Sequence, residues 1–452
     1  MTVIDALGPG GEYRTRKREL IADVSGAPIA EMTIVPPLYV ARTVNVQRRT
    51  RPLPADEREA ALIRAAKMFL SDEIAGLDFG RYVELTSRVS GLPIAVTRAG
   101  AQSVAAQVAA VCESVRPAQP TGAQRDWRSI RDGGAVWARR GEVFAVHASG
   151  NAPGVHGLWP QALELGYRVA VRPSRREPFT GQRLITALRE SGFRAEDVSY
   201  LPTDYTGADE IIRAADLAMV YGGQDVVDKY ATDPSVWVNG PGRAKILITA
   251  EQDWRDHLDL IVESICAFGG TACVNATAVL CEGDVTALGE AIAERLRGLV
   301  AAPSTDERAQ LPVVSSAAAQ SIAEFLRTRA AGTTPLLGAE QVVADFGDGT
   351  AALRPAVHLL AAPDPVRLNT ELVFPCVWVS PWSRGDGLEP LRGSLVVNAI
   401  TDDERLIDDL VDDPTVPNVY RGPYPTWHSA SHIPHDGFLA DFLMRTKGFI
   451  RG

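Results

Sequence analysis

From Val143 to about Thr249, short apolar runs alternate with helical stretches, and this alternation constrains the fold more than any other feature. VFAVHAS ends at Gly150, helical GLWPQALELG follows, and YRVAVRP reads as the next strand. Then come the amphipathic helix FTGQRLITALRESG, the strand VSYLP, the helix ADEIIRAA, the strand LAMVYGG and the run KILIT at 245–249. Strands separated by single crossover helices pair in parallel, which predicts an open α/β sheet. Ligands of such sheets sit beyond the C-terminal strand ends, where Asn151, Arg172 and Gly222 fall.

A second α/β segment is expected from about Asp253: helix WRDHLDLIVESICAF, the block GGTACVNATAVLCEG, helix VTALGEAIAERLRGLV, then strands TELVFPCVWVSP and SLVVNAI. Upstream, PADEREAALIRAAKMF and AQSVAAQVAAVCESV have helical spacing, whereas MTIVPPLYVART reads as arm and strand. The run DDERLIDDLVDD is helical and acidic, and a Pro- and His-rich tail closes the sequence. At 452 residues, two or three domains are expected.

Charge and cysteine usage exclude several function classes. A net charge of −10, from 46 basic and 56 acidic side chains, argues against nucleic acid as the main partner. No apolar run approaches the roughly 18–20 residues that span a bilayer. The N-terminus has no apolar stretch after its charges, so it does not read as a secretory signal, and a cytoplasmic location is expected. The five cysteines (Cys112, Cys266, Cys273, Cys281 and Cys376) are odd in number and contain no CxxC pair, which argues against a disulfide framework or a thiolate metal site. His428, His432 and His435 cluster in the tail, but Pro434 interrupts a helix there and no HExxH arrangement is present. No metal site is expected; the histidines are read as surface or packing residues, with a substrate channel or a general acid as the alternative.

Cys273 lies in Phe-Gly-Gly-Thr-Ala-Cys-Val-Asn just after an apolar helix. Paired glycines let the backbone approach a ligand closely, and a thiolate there would be a nucleophile. A buried structural thiol is the competing reading.

The order of these blocks resembles the aldehyde dehydrogenase superfamily from about residue 50 to the C-terminus. SGNAPGVHGLWPQALELGYRVAVRPSRREPFTGQRLITALRESG is similar to its strand–Asn–Pro–helix–strand–(Lys/Arg)-Pro–helix unit, VYGGQDVVDKY to its glycine-turn segment, FGGTACVNATAVL to the catalytic-cysteine block and ELVFPCVWV to the Glu-x-Phe-Gly-Pro strand. The resemblance implies a Rossmann-type cofactor domain with an N-terminal arm over 1–249 and an α/β catalytic domain over 250–395. Residues 396–452 would return to the cofactor domain and form a small oligomerisation arm. It implies Cys273 as nucleophile and Asn151 as partner of the Cys273 amide in an oxyanion hole, where losing one donor costs roughly 3–4 kcal/mol. Arg172, Ser174, Arg175, Gly222, Gly223, Glu371 and Phe374 would hold the nicotinamide cofactor, and a homodimer or homotetramer is expected. Taken singly, each residue also has an ordinary structural reading, such as Asn151 closing a strand.

Two departures from the family pattern carry information. Where NAD-using members often have a glutamate, this chain has Arg175 beside Arg176, and guanidinium groups suit a phosphate dianion. That favours NADP(H) over NAD(H), unless the pair is only a solvated face. Where hydrolytic members carry a glutamate base, this chain has Asn239 in WVNGPGRAKILI, and an amide accepts no proton near neutral pH. The resemblance then narrows to the acyl-thioester reductases, including the fatty acyl reductase of bacterial bioluminescence, with acyl-CoA or an acyl-carrier protein as substrate. An aldehyde dehydrogenase releasing acid is the alternative, and a degenerate dehydrogenase-fold scaffold is a second.

Overall fold

The computed structural model describes residues 1–339 and 341–452. Five parallel strands make the core of a first sheet, in the spatial order Val236–Asn239, Leu217–Tyr221, Val143–His147, Arg168–Arg172 and Val198–Tyr200. An antiparallel N-terminal pair, Ala6–Gly8 and Gly11–Tyr13, extends the last edge. The chain lays down Val143–His147 first and builds outward on both sides of it. The order therefore reverses between Val143–His147 and Leu217–Tyr221, and a crevice opens at their C-terminal ends.

Alternation along these strands sorts the two faces. Phe144, Val146, Val169 and Met219 point into one core with Trp159 and Leu184, whereas Val143, Ala145, Ala170 and Val220 pack with Val40, Val44 and Ile211 on the other. Helix Phe179–Glu190 covers the first face, as its sequence pattern predicts. MTIVPPLYVART departs from expectation: strand Pro28–Thr33 ends, and Pro37–Arg49 is a helix. Pro37 occupies the first turn, where its missing N–H costs nothing, and Val40, Thr43, Val44 and Gln47 bury one helical face.

The second sheet runs Thr334–Leu337, Ala356–Leu359, Cys376–Pro381, Ala276–Cys281, Ala244–Ile248, Val396–Ile400 and Asn418–Arg421, parallel except at its first strand. Two boundaries drawn from sequence shift as a result. Ala244–Ile248, placed within 1–249, pairs in the middle of the second sheet, and strands from 396–452 continue that sheet to Arg421. Apolar alternation reveals a strand without revealing which sheet receives it. Beyond residue 421, Met444–Ile450 pairs antiparallel with Gly133–Arg139 in a three-stranded sheet with Ala123–Gln124. No helix among the described residues is long and apolar enough to cross a membrane.

Phe144 is fully buried at the centre of the first sheet. Phe144→Ala should destabilise the first unit by about 3–5 kcal/mol through lost burial and a residual cavity. Amide exchange that accelerates across Val143–His147 and its neighbours, while the second sheet stays protected, is the expected readout.

Candidate active site

The first sheet's C-terminal ends meet the second sheet's N-terminal ends, because Val236–Asn239 runs through Gly240–Arg243 directly into Ala244–Ile248. Cys273, just ahead of Ala276–Cys281, and Glu371, shortly ahead of Cys376–Pro381, enter the junction from the second sheet. The helix preceding Cys273 ends earlier than its apolar pattern suggests: Leu258–Cys266 stops because Phe268, Gly269 and Gly270 have φ of 56°, 71° and 69°. Phe268 tolerates this left-handed conformation at a cost, and such strain persists only where surroundings enforce it. They do so here. A Cβ on Gly270 would lie 2.5 Å from Pro375 N. Asn275 ties the turn from inside, its Oδ1 accepting from Ala272 N at 2.9 Å and its Nδ2 donating to Ser264 O at 3.0 Å and Ala267 O at 2.9 Å.

The Cys273 thiol is half-buried, with its Sγ 3.5 Å from His435 Nε2. Burial, reinforced by the Glu371 and Asp436 carboxylates, pushes its pKa up to about 12, although the N–H groups of Cys273 and Val274 favour the thiolate. Glu371 Oε2 accepts from Gly242 N at 2.9 Å and Arg243 N at 3.4 Å, while burial raises its pKa. Tyr221 closes the neighbouring strand within the electrostatic reach of Cys273 and Asp436, and its hydroxyl donates to Val155 O at 3.3 Å. Asn239 pairs with Tyr221 in register and is 4% exposed, yet neither amide atom has a hydrogen-bond partner.

Beneath Glu371, Lys245 is fully buried, with Nζ donating to Asn369 Oδ1 at 2.9 Å and Ser394 Oγ at 2.5 Å. Desolvation first, and then Arg243, pull its pKa down to about 7. Sequence reading missed Lys245, Tyr221 and Asp436. The lysine in an otherwise apolar strand was the one available signal.

Other residues singled out in the sequence have the following surroundings. Asn151 is exposed; its Oδ1 accepts from Ser149 Oγ at 2.6 Å, and it makes no hydrogen bond with Cys273. Its loop is drawn toward the arginine loop, because a Cβ on Gly150 would lie 2.4 Å from Ser174 Oγ and 2.6 Å from Arg176 Cβ. Phe374 is 1% exposed and packs in the second sheet's core with Trp378 and Leu368. His432 is exposed, and the His428 ring lies beside Tyr420 and Tyr424. No group of three metal-ligating side chains occurs among the described residues.

At the crevice of the first sheet, His147 and Arg172 are register partners at adjacent strand ends, and His147 Nε2 and Arg172 Nε are buried without partners. Burial, and then Arg172, hold His147 neutral with a pKa of about 3. Ser174 Oγ accepts from Arg176 N at 3.1 Å; Arg175 pairs with Glu19 at 3.0 Å, and Arg176 is exposed. Gly222 and Gly223 leave the neighbouring strand, and a Cβ on Gly222 would lie 2.4 Å from Val226. Unpartnered donors and cationic groups at the point where strand order reverses fit a nicotinamide dinucleotide with its phosphates and ribose hydroxyls.

The sequence profile of the aldehyde dehydrogenase family matches residues 38–387. No curated protein matches the chain. Among solved structures, a mutant of Thermus thermophilus 1-pyrroline-5-carboxylate dehydrogenase is similar at 16% identity and TM-score 0.83, covering 100% of this chain and 93% of that one. An aldehyde dehydrogenase from Pseudomonas aeruginosa is similar at 14% identity and TM-score 0.84, with 99% and 96% covered. A gamma-glutamyl-gamma-aminobutyraldehyde dehydrogenase from Burkholderia cenocepacia is similar at 16% identity and TM-score 0.84, with the same coverage.

Gly270→Ala should destabilise the Cys273 turn by at least about 2 kcal/mol, since the left-handed backbone and the Pro375 contact both oppose a methyl group. A lowered unfolding midpoint with lost turnover is expected; wild-type values for both would contradict this account of the turn. The profile match over most of the chain, on two facing α/β units with a cysteine at their junction, places the protein in the aldehyde dehydrogenase family, as an NAD(P)-dependent oxidoreductase acting on aldehydes.

Proposed function

We propose that this enzyme reduces an acyl thioester, carried on coenzyme A or a carrier protein, to the aldehyde through an acyl group held on Cys273, using NADP(H) in preference to NAD(H). The observation that carries this reading is Asn239. Releasing an acyl-enzyme as acid requires a base for water, and the buried residue ending Val236–Asn239 is an amide. Glu371, the carboxylate facing Cys273 from the second sheet, is engaged by the N–H groups of Gly242 and Arg243.

Cys273 forms the carbon–sulfur bond, and a thiolate is also a good leaving group, so the acyl group can be received from one thiol and released without hydrolysis. The Cys273 and Val274 N–H groups lie toward the reacting sulfur, and Asn151 would join them only if its loop swings from Ser149. Glu371 would orient the nicotinamide ribose; Arg172, Ser174, Arg175, Arg176, Gly222 and Gly223 would hold the adenosine half. When bound, the cofactor supplies a hydride. Assembly as a homodimer or homotetramer through the Gly133–Arg139 and Met444–Ile450 arm accompanies this reading.

A second reading, oxidation of an aldehyde to the acid, is favoured by one observation: Asp436 places a half-buried carboxylate beside His435 and within electrostatic reach of Cys273. Incubation with acyl-CoA and either reduced cofactor separates the two. Aldehyde formation, faster with NADPH than with NADH, is expected, and Asn239→Glu should divert acyl groups to free acid. Acid produced from aldehyde by the wild-type enzyme without any thiol acceptor, with no aldehyde from acyl-CoA, would overturn the proposal.

A further inference from the structure

The Cys273 thiol has to lose a proton before it can attack, yet its surroundings oppose ionisation. Burial and the Glu371 and Asp436 carboxylates all favour the neutral form, and the Tyr221 hydroxyl adds no positive charge. Glu371 is held by two backbone N–H groups. Among the described residues, the side-chain atom within hydrogen-bond reach of Sγ is His435 Nε2, at 3.5 Å.

Its other ring nitrogen, Nδ1, is buried and unpartnered, with the nearest Asp436 oxygen 4.0 Å away. A proton on Nδ1 leaves the Nε2 lone pair directed at the sulfur. The tail segment that carries the ring is held from both sheets. Asn418 Nδ2, on the second sheet, donates to His435 O. On the first sheet, Gly437 lies against Trp237, where a Cβ would come within 3.0 Å of the indole, and Phe442 meets the same indole edge-on at 5.4 Å.

We propose that His435, delivered by the C-terminal tail, is the general base that takes the Cys273 proton and the general acid that returns it to the departing thiol. This rests on Cys273 being the nucleophile of the acyl-transfer reading above. As Sγ bonds to the thioester carbonyl carbon, its proton passes to Nε2 and the carbonyl π pair moves onto oxygen. When that pair returns, the bond to the first thiol's sulfur breaks, and this sulfur takes the proton from Nε2. One thioester and one thiol are consumed and one of each is formed, with no change in oxidation state. The titratable groups facing the pair are Asp436 from the tail, Glu371 from the second sheet and Tyr221 from the first. Burial pulls the imidazole below its ordinary value against the opposing effect of Asp436, so the ring is neutral and able to accept a proton at physiological pH.

The test uses the full chain without substrate or cofactor. Iodoacetamide modification of the Cys273 peptide is followed by mass spectrometry from acid to alkaline pH, which resolves it from the other four cysteines. Wild-type enzyme should show a plateau through neutral pH that falls away on the acid side of the ordinary histidine range. His435→Gln should lose that plateau, slow at least about 100-fold at pH 7, and recover only as the pH climbs toward the thiol's own range. Added imidazole should restore part of the neutral rate in His435→Ala. A His435→Gln profile superimposable on wild type would overturn the proposal. If the variants fail to fold, a wild-type profile that rises only in the alkaline range overturns it equally. Alkylation needs no acyl thioester, so failure of the reductase reading and failure of this one give different results.

Discussion

Gly242 touches the carbonyl of Cys273 so closely that no other residue fits: a Cβ there would lie 1.6 Å from the oxygen. This contact joins the two sheets at Cys273. The first sheet ends at Asn239, three residues upstream, and the second begins at Ala244, two residues downstream. The same glycine donates its N–H to Glu371, and its carbonyl accepts from Leu395 N at 2.7 Å. One residue therefore fixes the cysteine turn, the acidic loop and the start of Val396–Ile400 relative to each other. Lys245 supports the arrangement from below by holding Asn369 and Ser394.

The electrostatics follow from that junction. Bringing the strand ends of two sheets together removes water from the space between them, and burial disfavours the charged forms of groups there. Cys273, Glu371 and Asp436 are pushed up, while Lys245 and His435 are pulled down. A pocket of this kind keeps its thiol protonated at rest. Its chemistry then depends on a neighbouring neutral base, and the tail histidine supplies a nitrogen in contact with the sulfur. Asn239 contributes an unpartnered amide to the same junction.

Local patterns in the sequence were strong where local physics decides the structure. The alternation over 143–221 yields the parallel strands because each strand is flanked by its own crossover helix, and the glycines before Cys273 signal a left-handed turn. Patterns fail where distant segments decide. KILIT is legible as a strand, but its place in the second sheet depends on Ala276–Cys281 and Val396–Ile400 arriving on either side. LYVART looks extended until Pro37 starts a helix whose buried face needs the first sheet beneath it. The Asn151 loop is set by contact with the arginine loop that follows the next strand. Cys273 and His435 are 162 residues apart, so the histidine cluster could be noted in the tail without showing which ring reaches the sulfur.

The proposed acyl transfer requires Cys273 to carry the acyl group. Mixing the protein with an acyl-CoA in the absence of nicotinamide cofactor, then measuring intact mass and mapping peptides, tests this directly. A mass increase of one acyl group, located on the peptide containing Cys273 and absent from Cys273→Ala, is the predicted result. Unmodified Cys273 in a protein that nevertheless turns over acyl-CoA, or an acyl group found only on another residue, would contradict it.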